Sequence, residues 1–211
     1  MNKYYNLLKD ILETGKEQKN KKGNIKYIIN KVLSMRKVDV LKILEEHPIA
    51  KKKLSNELKL YCKGITSVKD YNEAGITWWD YCKPKMINTY PKYFKKLPEL
   101  INKINTEKRN SKNYMLFIGE TGIKTSQLPC LSLFQFQISD GELYITVYQR
   151  SADSNLGLPS DIYHAYLISQ MIDLPLENIT FFIGNAHVYE NNIEKTKKLL
   201  EGKKVKFKLN V

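Results

Sequence analysis

Three side chains able to do chemistry together close one stretch of the chain, Leu128-Pro129-Cys130 through Arg150-Ser151. A thiolate is the nucleophilic form of cysteine, and a fixed positive charge beside a thiol favours it, so Cys130 next to Arg150 has the makings of covalent catalysis. Ser151 adds a hydroxyl that can donate or accept. A cysteine at the start of a strand is also a common small buried apolar residue, and the trio alone does not separate the two roles.

A hairpin must bring them together. Its strands read Leu131-Ser132-Leu133-Phe134-Gln135-Phe136-Gln137-Ile138 and Leu143-Tyr144-Ile145-Thr146-Val147-Tyr148-Gln149, and Asp140-Gly141 between them is the pair that two-residue primed turns prefer. With Ser139 and Glu142 flanking that turn, antiparallel pairing sets Leu131 opposite Arg150 and Cys130 opposite Ser151. Ideal alternation puts Ser151 on the cysteine's face and Arg150 on the other. Either a bulge re-aims the arginine or it serves another site.

Around the hairpin, 211 residues with 42% hydrophobic content suffice for one core, and no repeat or linker divides them, so a single domain over 1–211 is expected. The formal charge of +13 points to anionic ligands or nucleic acid, although lysines are spread along the whole chain. Cys62, Cys82 and Cys130 are odd in number and lack metal-type spacing, and no apolar run is long enough for a signal or a span. These features predict a soluble cytoplasmic protein with no metal centre and no membrane partner. Tyr4, Leu7, Leu8 and Ile11 predict an opening helix ended by Gly15, Ile25 to Val40 a strand and connection, Leu54 to Tyr61 a helix, and Leu97, Leu100, Ile101 and Ile104 another. Tyr114 to Ile118 reads as a buried strand. Pro159-Ser160-Asp161 opens a helix buried through Ile162, Ala165, Tyr166, Ile168, Met171 and Ile172, and Val205 to Val211 alternates as a last strand.

The order of three motifs resembles the thymidylate synthase family. They are Leu128-Pro129-Cys130 with Phe134-Gln135-Phe136, then Tyr148-Gln149-Arg150-Ser151-Ala152-Asp153 with Leu156-Gly157-Leu158-Pro159, then Gly184-Asn185-Ala186-His187-Val188-Tyr189. The family includes the hydroxymethylases that act at C5 of cytosine or uracil nucleotides. The likeness is strong over 128–194 and weaker but collinear over 1–113. It implies an α/β (α+β) fold, a mixed sheet packed against helices, with two subunits joined sheet to sheet as a homodimer. It also implies a pyrimidine nucleotide as substrate and 5,10-methylenetetrahydrofolate as co-substrate.

The resemblance assigns roles residue by residue. Cys130 would add to C6 of the pyrimidine. Glu57, which alone reads as a surface carboxylate, would work through ordered water on the ring, and Tyr90 would lie in the nucleotide cavity, with Pro91 where a glycine is usual. Gln149, Arg150 and Ser151 would contact the nucleotide, the last two at its phosphate, and His187 and Tyr189 would serve the sugar hydroxyl and the water network. Trp79 would stack on the folate, with Asp153 and Gly157 shared between folate and nucleotide. Lys21 stands where the family has a phosphate-binding arginine, and lysine keeps the charge without the bidentate fork. Lys112 stands where two arginines usually reach across the dimer to the partner's phosphate.

Two features bear on the product. Asp161 alone reads as a helix-capping carboxylate. Synthases carry asparagine there, whose amide accepts from N3–H and donates to O4 of uracil, whereas the dCMP and CMP hydroxymethylases carry aspartate. Cytosine presents an N3 acceptor and an N4 donor, which a carboxyl group sharing a proton can satisfy. The synthases also continue past the last strand with a segment that closes over the folate, and from its lack here water is expected to reach the site. The reading is folate-dependent C5-hydroxymethylation of a cytosine nucleotide, dCMP first. The alternatives are a thymidylate synthase, a uracil nucleotide hydroxymethylase, or a catalytically reduced nucleic-acid-binding protein.

Overall fold

The spacing of Tyr4, Leu7, Leu8 and Ile11 forms helix α1 (Lys3–Thr14), with all four residues buried and the Asn2 side chain accepting the Tyr4 N–H at its start. The computed structural model describes residues 2–20, 22–82, 85–87, 89–119 and 128–209. At Gly15 the chain reverses so tightly that a Cβ would collide with the Ile11 carbonyl oxygen. Strands β1 (Lys16–Gln18) and β2 (Ile25–Arg36) follow, and β2 runs straight into α2 (Lys37–Glu46). Next come α3 (Lys51–Cys62), α4 (Val68–Glu73), α5 (Tyr90–Phe94), α6 (Leu97–Glu107), β3 (Met115–Phe117), β4 (Leu131–Ser139) and β5 (Glu142–Gln149). The chain then gives β6 (Ala152–Asp153), α7 (Gly157–Ser169), β7 (Leu176–Tyr189) and α8 (Ile193–Leu200).

The strands form one mixed sheet in the order β1-β2-β7-β5-β4-β3, with β6 beside the end of β7. β7 runs parallel to β5 and β6, and the other neighbours are antiparallel. A parallel pair needs a crossover, and α7 supplies it between β5 and β7. Leu33, Met35, Phe134, Phe136, Ile145, Val147, Ile179 and Phe181 are buried in the core with residues of the helices. The opposite face carries Val32, Phe182, Tyr148, Leu133 and Phe117 as one row, each paired with the next across the strands. Val32, Phe117, Tyr148 and Phe182 of that row are exposed.

The hairpin of β4 and β5 turns at Asp140 and Gly141, both at positive φ as a primed turn needs, and Ser139 pairs with Glu142 as expected. The register then departs from the expected one. Leu133 pairs with Tyr148, but Leu131 pairs with Gln149 and not with Arg150, so β4 carries a bulge between Leu131 and Leu133.

The helix of Asp161 starts earlier than its sequence suggests, at Gly157, and ends at Ser169, which leaves Met171 exposed and Tyr166 only partly buried. Val205 to Leu209 takes no strand conformation. The Asn192 side-chain amide binds both the N–H and the C=O of Lys208, at 2.9 and 2.8 Å, and takes the place of a ladder partner. Phe207 stacks on His47 with ring centroids 5.5 Å apart. Residues 210 and 211 lie outside the described ones. No helix among the described residues is long and apolar enough to cross a membrane.

Candidate active site

The bulge in β4 decides where Arg150 goes. Released from the ladder position opposite Leu131, its backbone N–H donates to the Cys130 carbonyl at 2.9 Å. Its guanidinium donates to the carbonyls of Pro129 (2.9 Å) and Leu128 (2.8 Å), and Nη2 stands 3.9 Å from Cys130 Sγ. Gly184 of β7 makes room, since a Cβ there would lie 2.8 Å from the Arg150 carbonyl oxygen. The bulge therefore brings the arginine to the thiol, as one of the two sequence alternatives required. The thiol pKa is nonetheless raised, because burial outweighs the nearby guanidinium. The resting group is a neutral thiol, contrary to the expectation from charge alone.

Cys130 opens onto a cavity of ≈ 420 Å³. Glu57, Trp79, Tyr90, Ser151, Asp153, Gly157, Asp161 and Tyr189, drawn from six separate stretches of chain, line the same space. Glu57 is no surface carboxylate: it falls in the Leu54-Glu57-Leu58-Tyr61 stripe of α3 and is 3% exposed. Its Oε1 accepts from the indole N–H groups of Trp78 and Trp79, each at 2.6 Å. Such bonds to a charged acceptor are worth about 1.5–3 kcal/mol each, enough to offset much of the cost of burying the carboxylate. His164 Nε2 lies 3.5 Å from the other oxygen, Oε2.

The Tyr90 hydroxyl accepts the Cys130 N–H at 3.2 Å and so holds the backbone of the thiol. Asp161, in the second turn of α7, accepts a short hydrogen bond from Gln149 Nε2 at its Oδ2. Burial first, and the charge of Glu57 second, raise the Asp161 pKa to about 7. Asp153 accepts the Asn155 N–H at 3.0 Å, and burial raises its pKa to about 6. Tyr189 packs edge-on against His187 at 5.3 Å, and burial lowers the His187 pKa to about 4, so that ring is neutral at pH 7.

Other expected ligands stand apart from the cavity. His187, Gln149 and Arg150 are not among its lining residues and sit one contact behind Tyr189, Asp161 and Cys130. Lys112, just before β3, does not line it either; its carbonyl accepts from Gln135. Lys21 lies outside the described residues, but Lys22 lines the cavity with its Nζ 4.7 Å from the Tyr81 ring centroid. Sequence reasoning passes over His164, takes Trp78 only as a core anchor, and weighs Lys22 only as part of the basic loop Lys16 to Gly23, which could hold a phosphate. The signals were adjacency for Trp78 and Lys22 and, for His164, a place three residues after Asp161 on the same helix face.

The sequence pattern of the thymidylate synthase family matches residues 2–210. The chain belongs to the thymidylate synthase family. Its members transfer a one-carbon unit to C5 of a pyrimidine nucleotide, with methylenetetrahydrofolate as co-substrate, and the mixed sheet packed on helices is consistent with that fold. The cavity fits both substrates in kind. Trp78, Trp79, Ile49, Leu156, Phe207 and Leu209 offer aromatic and apolar walls to a flat heterocycle, and Asp153, Asp161, Ser151 and Lys22 offer polar partners.

Proposed function

We propose that this enzyme hydroxymethylates C5 of a cytosine nucleotide, dCMP in the first instance, through a covalent bond from Cys130 to C6. The observation that carries the reading is the Asp161 carboxyl recessed in the wall of the Cys130 cavity, with its pKa raised to about 7 by burial and by Glu57. At neutral pH such a group has a proton to share with N3 of cytosine, while its second oxygen accepts from the N4 amino group. The hydroxymethyl product rests on the likeness of Asp161 to the aspartate of the family's cytosine hydroxymethylases.

In this reading bond formation from Sγ to C6 makes C5 nucleophilic, and the folate supplies the one-carbon unit. Arg150, 3.9 Å from the sulfur, offsets the negative charge as the thiol ionises, and Tyr90 keeps Cys130 in place. Glu57 takes up and returns protons through water at the ring. Ser151 and Lys22 are the phosphate partners, with Arg150 behind them. The exposed row Val32, Phe182, Tyr148, Leu133 and Phe117 is the face on which two subunits join, since its apolar side chains otherwise stand in water.

The test is release of tritium from C5-labelled dCMP, CMP and dUMP, with and without methylenetetrahydrofolate, beside a Cys130→Ala control. Cysteine-dependent release from a cytosine nucleotide, followed by recovery of its 5-hydroxymethyl derivative with no dihydrofolate, is the expected result. Release from dUMP alone would assign the enzyme to uracil, and no release from any nucleotide would remove the catalytic reading.

A further inference from the structure

Three carboxyl groups, Glu57, Asp153 and Asp161, line one cavity, and the two that act on each other by charge, Glu57 and Asp161, are not equally supported. Glu57 Oε1 accepts from the indole N–H groups of Trp78 and Trp79 at 2.6 Å, the Tyr61 hydroxyl adds a hydrogen bond, and His164 Nε2, whose hydrogen bond goes to Leu54, lies 3.5 Å from Oε2. Among the described residues Asp161 has a single side-chain donor, the Gln149 amide. His164 is 5% exposed and on α7, three residues beyond Asp161, so one helix carries both the second carboxyl and the imidazole that faces the first. Its tautomer follows from its partner. Nε2 lies 3.1 Å from the Leu54 carbonyl, which can only accept, so Nε2 carries the proton and presents an N–H dipole to both Leu54 and Glu57. Burial lowers the His164 pKa, so the ring is a neutral donor at pH 7 and not a counter-ion.

We propose that His164 is a positioning residue that holds Glu57 ionised and thereby leaves the proton of the Glu57–Asp161 pair on Asp161. Adjacent buried carboxyls resist double ionisation, so one tends to keep a proton, and the group with more N–H donors is the one that gives it up. The consequence for base choice rests on the cytosine reading above, in which Asp161 needs that proton; the proton's placement itself does not. The other titratable groups lining the cavity or acting on Glu57 by charge are Tyr61 from α3, Tyr71 from α4, Tyr90 from α5, Tyr81, Cys130 at the head of β4, Asp153, Tyr189 from β7, and Lys22. Burial raises the tyrosine and cysteine pKa values, and the one cation among them, Lys22, holds its Nζ over the Tyr81 ring, 4.7 Å from the centroid.

The experiment compares wild type, His164→Leu and His164→Gln in the full chain. Gln places an amide N–H near the position of Nε2, and Leu places none; His164→Asn, whose amide is too short, serves where Leu fails to fold. The first readout is ¹³C NMR titration of the Asp161 and Glu57 carboxyl carbons, which needs no substrate. The second is the pH dependence of tritium release from dCMP. In His164→Leu the Asp161 titration is expected to move down by roughly one-half to one pH unit and that of Glu57 up, the effect of one N–H dipole beside a buried carboxylate, with His164→Gln reversing both. The alkaline limb of dCMP exchange should move with Asp161. Unmoved carboxyl titrations in a folded His164→Leu protein would overturn the proposal, as would equal shifts in the Leu and Gln variants. Moved titrations in a protein that releases tritium only from dUMP would uphold the role of His164 and remove the cytosine reading instead.

Discussion

Replacing Asp161 by asparagine should exchange one base for the other, and the size of the effect follows from the hydrogen bonds at stake. Gln149 donates to Asp161 Oδ2, so an amide at this position keeps its oxygen toward Gln149 and is not free to turn over. With that oxygen beside N3 the amide accepts from N3–H and donates to O4 of uracil, as in the family's synthases, and faces cytosine with two mismatched polar contacts. Each buried unpaired group costs about 1–3 kcal/mol, so the pair is worth about 2–6 kcal/mol, or roughly 30-fold to 10⁴-fold in relative kcat/KM. The assay is tritium release from C5-labelled dCMP and dUMP, expressed as the dCMP-to-dUMP ratio for wild type and Asp161→Asn. In the proposed mechanism Cys130 is the nucleophile on both substrates, so its ionisation cancels in that ratio. A pKa of about 7 adds a pH signature. The protonated fraction of Asp161 falls about tenfold between pH 6 and pH 8, and the wild-type ratio should fall with it, whereas the asparagine variant should show no such slope. A ratio that changes by less than about threefold on substitution, or a wild-type ratio flat over this range, would refute the assignment of Asp161 as base selector.

Three further outcomes follow from the geometry. Arg150→Met removes the one guanidinium beside Cys130 Sγ, so the raised thiol pKa should rise further and alkylation of Cys130 by iodoacetamide at pH 8, followed by mass spectrometry, should slow by about tenfold. His47 is buried between Tyr4 and Phe207 with no hydrogen-bond partner, and burial lowers its pKa to about 4. The unfolded chain therefore binds this proton first: the contribution to stability is complete above pH 6.5 and is lost as pH falls toward 4, about 2 kcal/mol of it by pH 5, and urea melts of His47→Phe should show a correspondingly flatter acid slope. Phe182→Asp puts a charge in the middle of the exposed cross-sheet row, and sedimentation is expected to give a dimer for the wild type and a monomer for the variant; an unchanged sedimentation coefficient would remove this face as the proposed interface.

Much of the fold was legible because it depends on local period. The helix of Tyr4, Leu7, Leu8 and Ile11, the Asp140-Gly141 turn and the alternation of β5 each follow from spacing within a few residues. Glu57 was legible too, had its place in the Leu54-Glu57-Leu58-Tyr61 stripe been weighed against the usual exposure of glutamate. Val205 to Leu209 misled because it alternates like a strand, while its backbone partner is a side chain, Asn192, at 16 residues' distance from Lys208.

What the sequence by itself determined is the set of chemical groups and the local frames that carry them: a cysteine and an arginine at the open end of one hairpin, an aspartate early in a helix, a family pattern running nearly the whole chain. What only the tertiary structure decided is their state. The β4 bulge, which no local preference marks, brought Arg150 to the sulfur, and burial still kept the thiol neutral. The meeting of α3 with α7 placed His164 against Glu57 and raised the Asp161 pKa toward neutrality. A side chain's identity is local, but its charge depends on desolvation and on neighbours distant in sequence, and these exist only once the chain has folded.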